Sequence, residues 1–292
     1  MKQIKTLLLI FAAFLCAACE KYVAEEGTQS ESKVIDGNLV VKAECVVTRA
    51  GETEENQESL PLKDRFTRMT MVLYQDDVRV DYVNQENSDP GFGTMSVDLD
   101  PGTYQLVVLA HSGQRSPTTT NCHKISFSAP LTDVFSYYGD VVVGKEASKI
   151  TVQLTRAVAK IELTVADEIP EEVSFYNYIY KGASVTFDPA TQTGVASTTR
   201  RNVEIEKVDG VKTFELYTFV SSDAQTVDWD FAGYSSEKEV IGSKKFPTIP
   251  VSLRNVTKIN SPVFDGVIEG PTDISVTVDD TWDGVIDYDI NN

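Results

Sequence analysis

The sequence predicts an all-β protein: two β-sandwich domains in tandem behind an N-terminal export signal. Three observations predict it. Apolar residues recur at every second position through most of the chain, with no convincing helical period beyond the first segment. Short candidate strands are separated by Gly, Pro, Asn and Asp, the residues of tight turns. The alternation changes phase near Arg156, and 292 residues are enough for two cores of ordinary size.

Residues 1–18 come first. Lys2 and Lys5 precede an apolar run from Leu7 to Leu15. The run falls well short of the ~20 residues that a membrane-spanning helix requires, so it reads as the core of a signal peptide. It ends in Cys16-Ala17-Ala18-Cys19, which resembles a bacterial lipoprotein signal. That resemblance implies cleavage after Ala18, diacylglycerol on the Cys19 sulfur and palmitate-type acylation of the freed amino group. Cys16 is the poorer acceptor, because Phe14 and Leu15 would crowd a peptidase pocket for small side chains. An ordinary signal peptide with two incidental cysteines is the plain alternative. Several acyl chains on one residue make membrane attachment close to permanent. Residues 19–36, polar and acidic, read as a flexible tether.

The first sandwich is expected over residues 37–155. Leu39, Val41, Ala43, Cys45 and Val47 alternate, and Met69, Met71 and Leu73 repeat the pattern. Residues 49–65 look like a long exposed loop. Tyr104 to Leu109 is almost continuously apolar, as in a central strand buried on both faces. Further strands are expected at Met95–Leu99, Lys124–Phe127, Asp140–Val143 and Ile150–Leu154. Ile150, Val152 and Leu154 are even-numbered, whereas Ala157, Ala159, Ile161, Leu163 and Val165 are odd. One residue of slip turns an apolar set to the other side, so the chain changes core, or bulges, around Arg156. The second sandwich is expected over 156–292, with strands at Val173–Tyr180, Ala183–Phe187, Val203–Ile205, Phe214–Val220, Val227–Phe231, Val251–Leu253, Ile274–Val278 and Ile286–Ile290.

Composition removes several functions. With 26 basic against 44 acidic residues the net charge is −18, which argues against nucleic acid as a partner and against electrostatic docking on anionic lipid. Two His and four Cys leave little for metal or redox chemistry; no cofactor, metal or catalytic residue is expected. Asp279 to Asp287 partly matches a calcium-binding loop but has Thr281 and Ile290 at two ligand positions; an acidic strand end is the better reading. Cys122 and His123 are neighbours, and on a strand they would point to opposite faces. Cys45 and Cys122 could pair or stay as separate buried thiols, the second being favoured because no pattern brings them together. Phe175, Tyr176, Tyr178, Tyr180, Trp229 and Trp282 could stack on sugar rings, or line sheet faces, which is the commoner role. Arg49, after a strand and before an acidic loop, is either a protease site or an ordinary loop residue.

Several stretches together carry a resemblance. They are Leu39-Val40-Val41, Phe92-Gly93, Asp98-Leu99-Asp100-Pro101-Gly102-Thr103-Tyr104, Val107-Val108-Leu109-Ala110-His111 and Thr132-Asp133-Val134-Phe135. Leu154-Thr155-Arg156-Ala157-Val158-Ala159-Lys160-Ile161-Glu162, the most specific, is followed by Asp167-Glu168-Ile169-Pro170. Over roughly residues 37–190 the chain resembles the FimB-type fimbrial subunits of the type V pilus of the Bacteroides group. The resemblance implies two transthyretin-like sandwiches in a non-enzymatic lipoprotein. It would anchor or cap a fimbrium at the outer membrane, with pilin subunits as partners. Relatives in that pilus system polymerise by strand addition after a protease cuts behind an Arg; main-chain hydrogen bonds supply affinity and alternate pockets supply register. Cleavage at Arg49 would release the lipid with the peptide, which favours an uncut anchor that keeps Leu39–Val47. A surface lipoprotein that captures glycans is the alternative function.

Overall fold

The structure is a computed structural model that describes residues 37–45, 61–265, 282 and 284–287. The described residues are all-β apart from one helical turn. In order come β1 (Leu39–Cys45), α1 (Leu62–Arg65), β2 (Arg68–Gln75), β3 (Val78–Glu86), β4 (Thr94–Val97), β5 (Gly102–His111), β6 (Ile125–Ser126), β7 (Val134–Val143) and β8 (Ser148–Arg156). Seven of these strands form a ladder in the order β3-β2-β5-β7-β8-β1-β4. Its middle is thin: β7 and β8 are joined only at Phe135–Arg156 and Ser136–Thr155. The strands on either side of that joint bury their apolar faces in one core, which includes Val41, Met71, Met95, Leu106, Val108 and Val152.

The next elements are β9 (Ala159–Val165), β10 (Phe175–Lys181), β11 (Thr186–Asp188), β12 (Thr193–Gly194), β13 (Arg201–Glu206) and β14 (Thr213–Thr218). The series ends with β15 (Thr226–Tyr234), β16 (Val240–Pro250), β17 (Asn255–Ser261) and β18 (Gly284–Asp287). Sheets β13-β10-β15-β16 and β14-β9-β17-β18 contribute to a second core. That core is aromatic: Tyr176 meets Phe214 edge-on at 4.7 Å and Tyr178 meets Trp229 at 5.1 Å, the ring geometry that the aromatic quadrupole favours.

A third core joins them. Val72, Tyr74, Val107 and Leu109 point to it from the back of β2 and β5, which are therefore buried on both faces. Phe187 and Phe219 stack there at 4.3 Å. Gly194 is required beside them, since a Cβ would stand 2.8 Å from the Phe219 backbone. The phase change in the sequence is a change of core. Val152 and Leu154 belong to the first, Ala157 and Val158 to the third, and Ala159, Ile161 and Leu163 to the second.

Four strands depart from the sequence expectation. β3 was hidden because Val78, Val80 and Tyr82 face solvent, while Arg79 and Asp81 take the half-buried side of this edge strand. The two-residue β12 is too short to show a period. β16 carries the polar run Ser243, Lys244 and Lys245 and buries only Phe246 and Ile249. β17 buries Thr257 and Ser261 where alternation calls for apolar residues. Val251–Leu253, read as a strand, is the connection between β16 and β17, and it turns at Arg254 (φ 61°). Within the expected loop 49–65, residues 62–65 form α1. Ile274–Val278 lies outside the described residues.

Candidate functional site

β1 occupies a seat between two strands that arrive much later in sequence. It runs parallel to β8, from Leu39–Ser148 to Cys45–Leu154, and antiparallel to β4, from Leu39–Val97 to Lys42–Thr94. Ala43 N–H extends the second ladder by donating to Gly93 O at 2.8 Å. Leu39, Val41, Ala43 and Cys45 fill the core side; Lys42 faces out and Val40 and Glu44 are half-buried. Burial of Leu39 and Val41 alone contributes about 3–6 kcal/mol gross. The alternation read from the sequence is thus a row of occupied pockets.

Both ends of the seat are fastened. At the start, the Asn38 amide donates to Leu99 O at 2.7 Å and accepts from Leu99 N–H at 2.9 Å, and Asn38 O accepts from Ser148 N–H at 2.8 Å. Gly37 allows this closeness, because a Cβ there would meet Val97 O at 2.6 Å. On the outer face Lys42 Nζ and Gln153 Nε2 donate to Glu44 at 2.7 and 3.0 Å, holding its carboxyl below the usual range. At the far end burial pushes the Cys45 thiol pKa up. Nearby, Arg156 donates through Nε and Nη2 to both oxygens of Asp133 at 2.9 Å. Arg65 reaches the same carboxylate at 3.4 Å. The Arg156 guanidinium lies 3.7 Å from the Trp282 ring centroid, and Lys160 Nζ 5.4 Å from it. Both cations of the most specific sequence stretch therefore meet one C-terminal ring, which no local pattern could announce.

Other residues singled out in the sequence fall elsewhere. Ala18, Cys19 and Arg49 lie outside the described residues, as does most of Asp279–Asp287; Gly284–Asp287 is β18, parallel to β17. Tyr176, Tyr178, Tyr180 and Trp229 are buried, so they offer sugars no platform; Phe175 stacks on Tyr234 at 5.2 Å. Cys45 and Cys122 are free, buried thiols. Cys122 and His123 sit in a turn rather than on a strand, and both side chains reach Asp77, contrary to the expectation that they diverge.

His111 is buried, and its Nδ1 accepts from Gly113 N–H at 3.0 Å. Burial, aided by the Arg68 charge, lowers its pKa to about 4. The unfolded chain takes up this proton near pH 6.5 while the folded chain refuses it. Stability is therefore fully present above that pH and falls as pH drops toward about 4, by about 3 kcal/mol in all. His111→Gln should remove that slope from urea-unfolding free energies measured across the window.

No curated protein matches the chain. Among solved structures, a fimbrial assembly protein from Parabacteroides distasonis is 14% identical with a TM-score of 0.41, covering 76% of this chain and 90% of its own. The fimbrial anchor protein Mfa2 from Porphyromonas gingivalis is 11% identical with a TM-score of 0.39, covering 70% of this chain and 80% of its own. The family model for fimbrillin-A associated anchor proteins matches residues 46–288, most of the sequence. The chain belongs to the family of fimbrillin-A associated anchor proteins Mfa1 and Mfa2.

Proposed function

We propose that this protein is a lipid-anchored fimbrial anchor or minor subunit of the outer membrane, joined to its pilin by β-strand complementation. Cys19 carries the lipid, Ala18 precedes the cut, and residues 19–36 hold two transthyretin-like sandwiches (37–155 and 156–292) off the membrane. The observation that carries the reading is β1. A seven-residue strand, two-sided in its hydrogen bonding and filling alternate pockets, is the kind of element that strand exchange uses. Arg49 follows it closely in sequence. An anchor would leave Arg49 uncut and retain the strand, because cleavage would separate the lipid from the body. The burial of the Tyr and Trp rings removes the main support for a glycan-binding role.

Cys19→Ala in the native host tests this. The variant should leave the membrane fraction and shed fimbriae into the medium. Envelopes of the unaltered strain, run unboiled on denaturing gels, should show a heat-labile ladder shared with a pilin. A single monomer band in both strains, with fimbriae unaffected, would defeat the proposal.

A further inference from the structure

We propose that Asp77, Cys122 and His123 form a binding site for a zinc-class divalent cation, with Asp188 orienting the histidine. The residues come from separate parts of the chain. Asp77 sits in the two-residue turn between β2 and β3, where both Asp76 and Asp77 adopt left-handed backbone (φ 49° and 64°). Cys122 and His123 sit in the turn before β6, which Asn121 tightens by accepting from His123 N–H at 2.9 Å. Asp188 ends β11.

Asp77 Oδ1 stands at coordination-sphere distances from both other ligand atoms. Asp77 Oδ1 is 3.4 Å from Cys122 Sγ and 3.6 Å from His123 Nε2, and one ligand atom from each residue lies within 4.8 Å of the others. Zinc bonds of about 2.0–2.3 Å at tetrahedral angles separate neighbouring ligand atoms by about 3.3–3.6 Å. The donor set, one thiol, one imidazole and one carboxylate, is zinc's own mixture, and water would complete it.

The second ring nitrogen strengthens the assignment. His123 Nδ1 stands 3.1 Å from Asp188 Oδ2. A carboxylate there keeps the proton on Nδ1 and turns the Nε2 lone pair toward Asp77 and Cys122, the arrangement that metal-bound histidines ordinarily have. Gln105 Nε2 donates to Asp77 Oδ1 at 3.0 Å and fixes that carboxylate in turn. The metal-free alternative is a plain hydrogen-bond cluster, with His123 between the two carboxylates and the Cys122 thiol donating to Asp77 Oδ1 at 3.4 Å, and the test below separates the two. A cation takes the thiolate as a ligand, and the thiol proton leaves to solvent. Bound metal would tie the β2–β3 turn to the turn before β6 and so clasp the rim of the third core.

Cobalt(II), a spectroscopic stand-in for zinc, tests the site on the full chain in detergent with a non-thiol reductant. The expected result is a thiolate-to-cobalt charge-transfer band that saturates at one equivalent and is displaced by zinc. Cys122→Ser and His123→Ala should abolish it, Asp188→Asn should weaken apparent affinity by about 10–100-fold, and Cys45→Ser should leave it intact. His123 is 53% exposed, so its alanine variant should keep the fold by circular dichroism and decide the matter if Cys122→Ser does not. Absence of the band, or its survival in a folded Cys122→Ser or His123→Ala variant, as coordination elsewhere on the chain would produce, overturns the proposal.

Discussion

Val41→Asp is expected to expel β1 from its seat while the rest of the protein stays folded. Val41 is wholly buried and lies between Met95 of β4 and Ile150 of β8. A carboxylate there has no partner, and leaving it ionised in an apolar core costs far more than the few kcal/mol by which one strand is held. Departure of the strand is the cheaper outcome. Hydrogen exchange should accelerate in residues 94–97 and 148–154 and stay slow in β9, whose core β1 does not touch. An added peptide with the sequence of residues 37–47 should restore protection. Lys42→Ala, on the outward face, should change stability by no more than about 0.5 kcal/mol. Global unfolding of Val41→Asp would mean that β1 is inseparable from the core, and would count against strand complementation.

Arg156→Ala should destabilise the fold by about 3–5 kcal/mol, the range for breaking one side of a buried ion pair. Arg156 is 6% exposed and grips Asp133 with two nitrogens. Its removal leaves Asp133 to the longer contact with Arg65. It also uncovers the Trp282 ring, so the loss in chemical unfolding should come with a shift in tryptophan emission. Arg156→Lys should recover only part of the loss, because an ammonium cannot supply the planar two-point contact. A loss below about 1 kcal/mol would place this pair with surface ion pairs, whose contribution is small.

How much of this was legible depends on whether a feature is local. The inward row of β1, the doubly buried run in β5 and the core switch around Arg156 are written in side-chain period, which needs no partner to be seen. β3 and β17 are not, because their faces are set by what lies across from them: solvent against Val78, Val80 and Tyr82, and buried hydrogen-bonding surroundings for Thr257 and Ser261. The seat of β1 was half legible. Its side chains announce a strand, but nothing near residue 39 says that residue 148 will lie beside it. The convergence of Cys122 and His123 on Asp77 was not legible, for a related reason. Adjacent residues diverge on a strand and can converge in a turn, and the Asn121 side chain that makes the turn is a weak signal.

The parallel pairing of β1 with β8 has a consequence in time. A chain synthesised N-terminus first delivers β1 before the strands that hold it, and β8 follows only after about a hundred residues more. Such long closures are slow steps of folding. During that interval the first core is being built with its N-terminal row of pockets vacant, and any extended segment with the right alternation competes for them. The order of synthesis thus makes β1 the last tenant of the site that its own chain encloses. Lengthening residues 46–60 should slow its arrival without changing its final place.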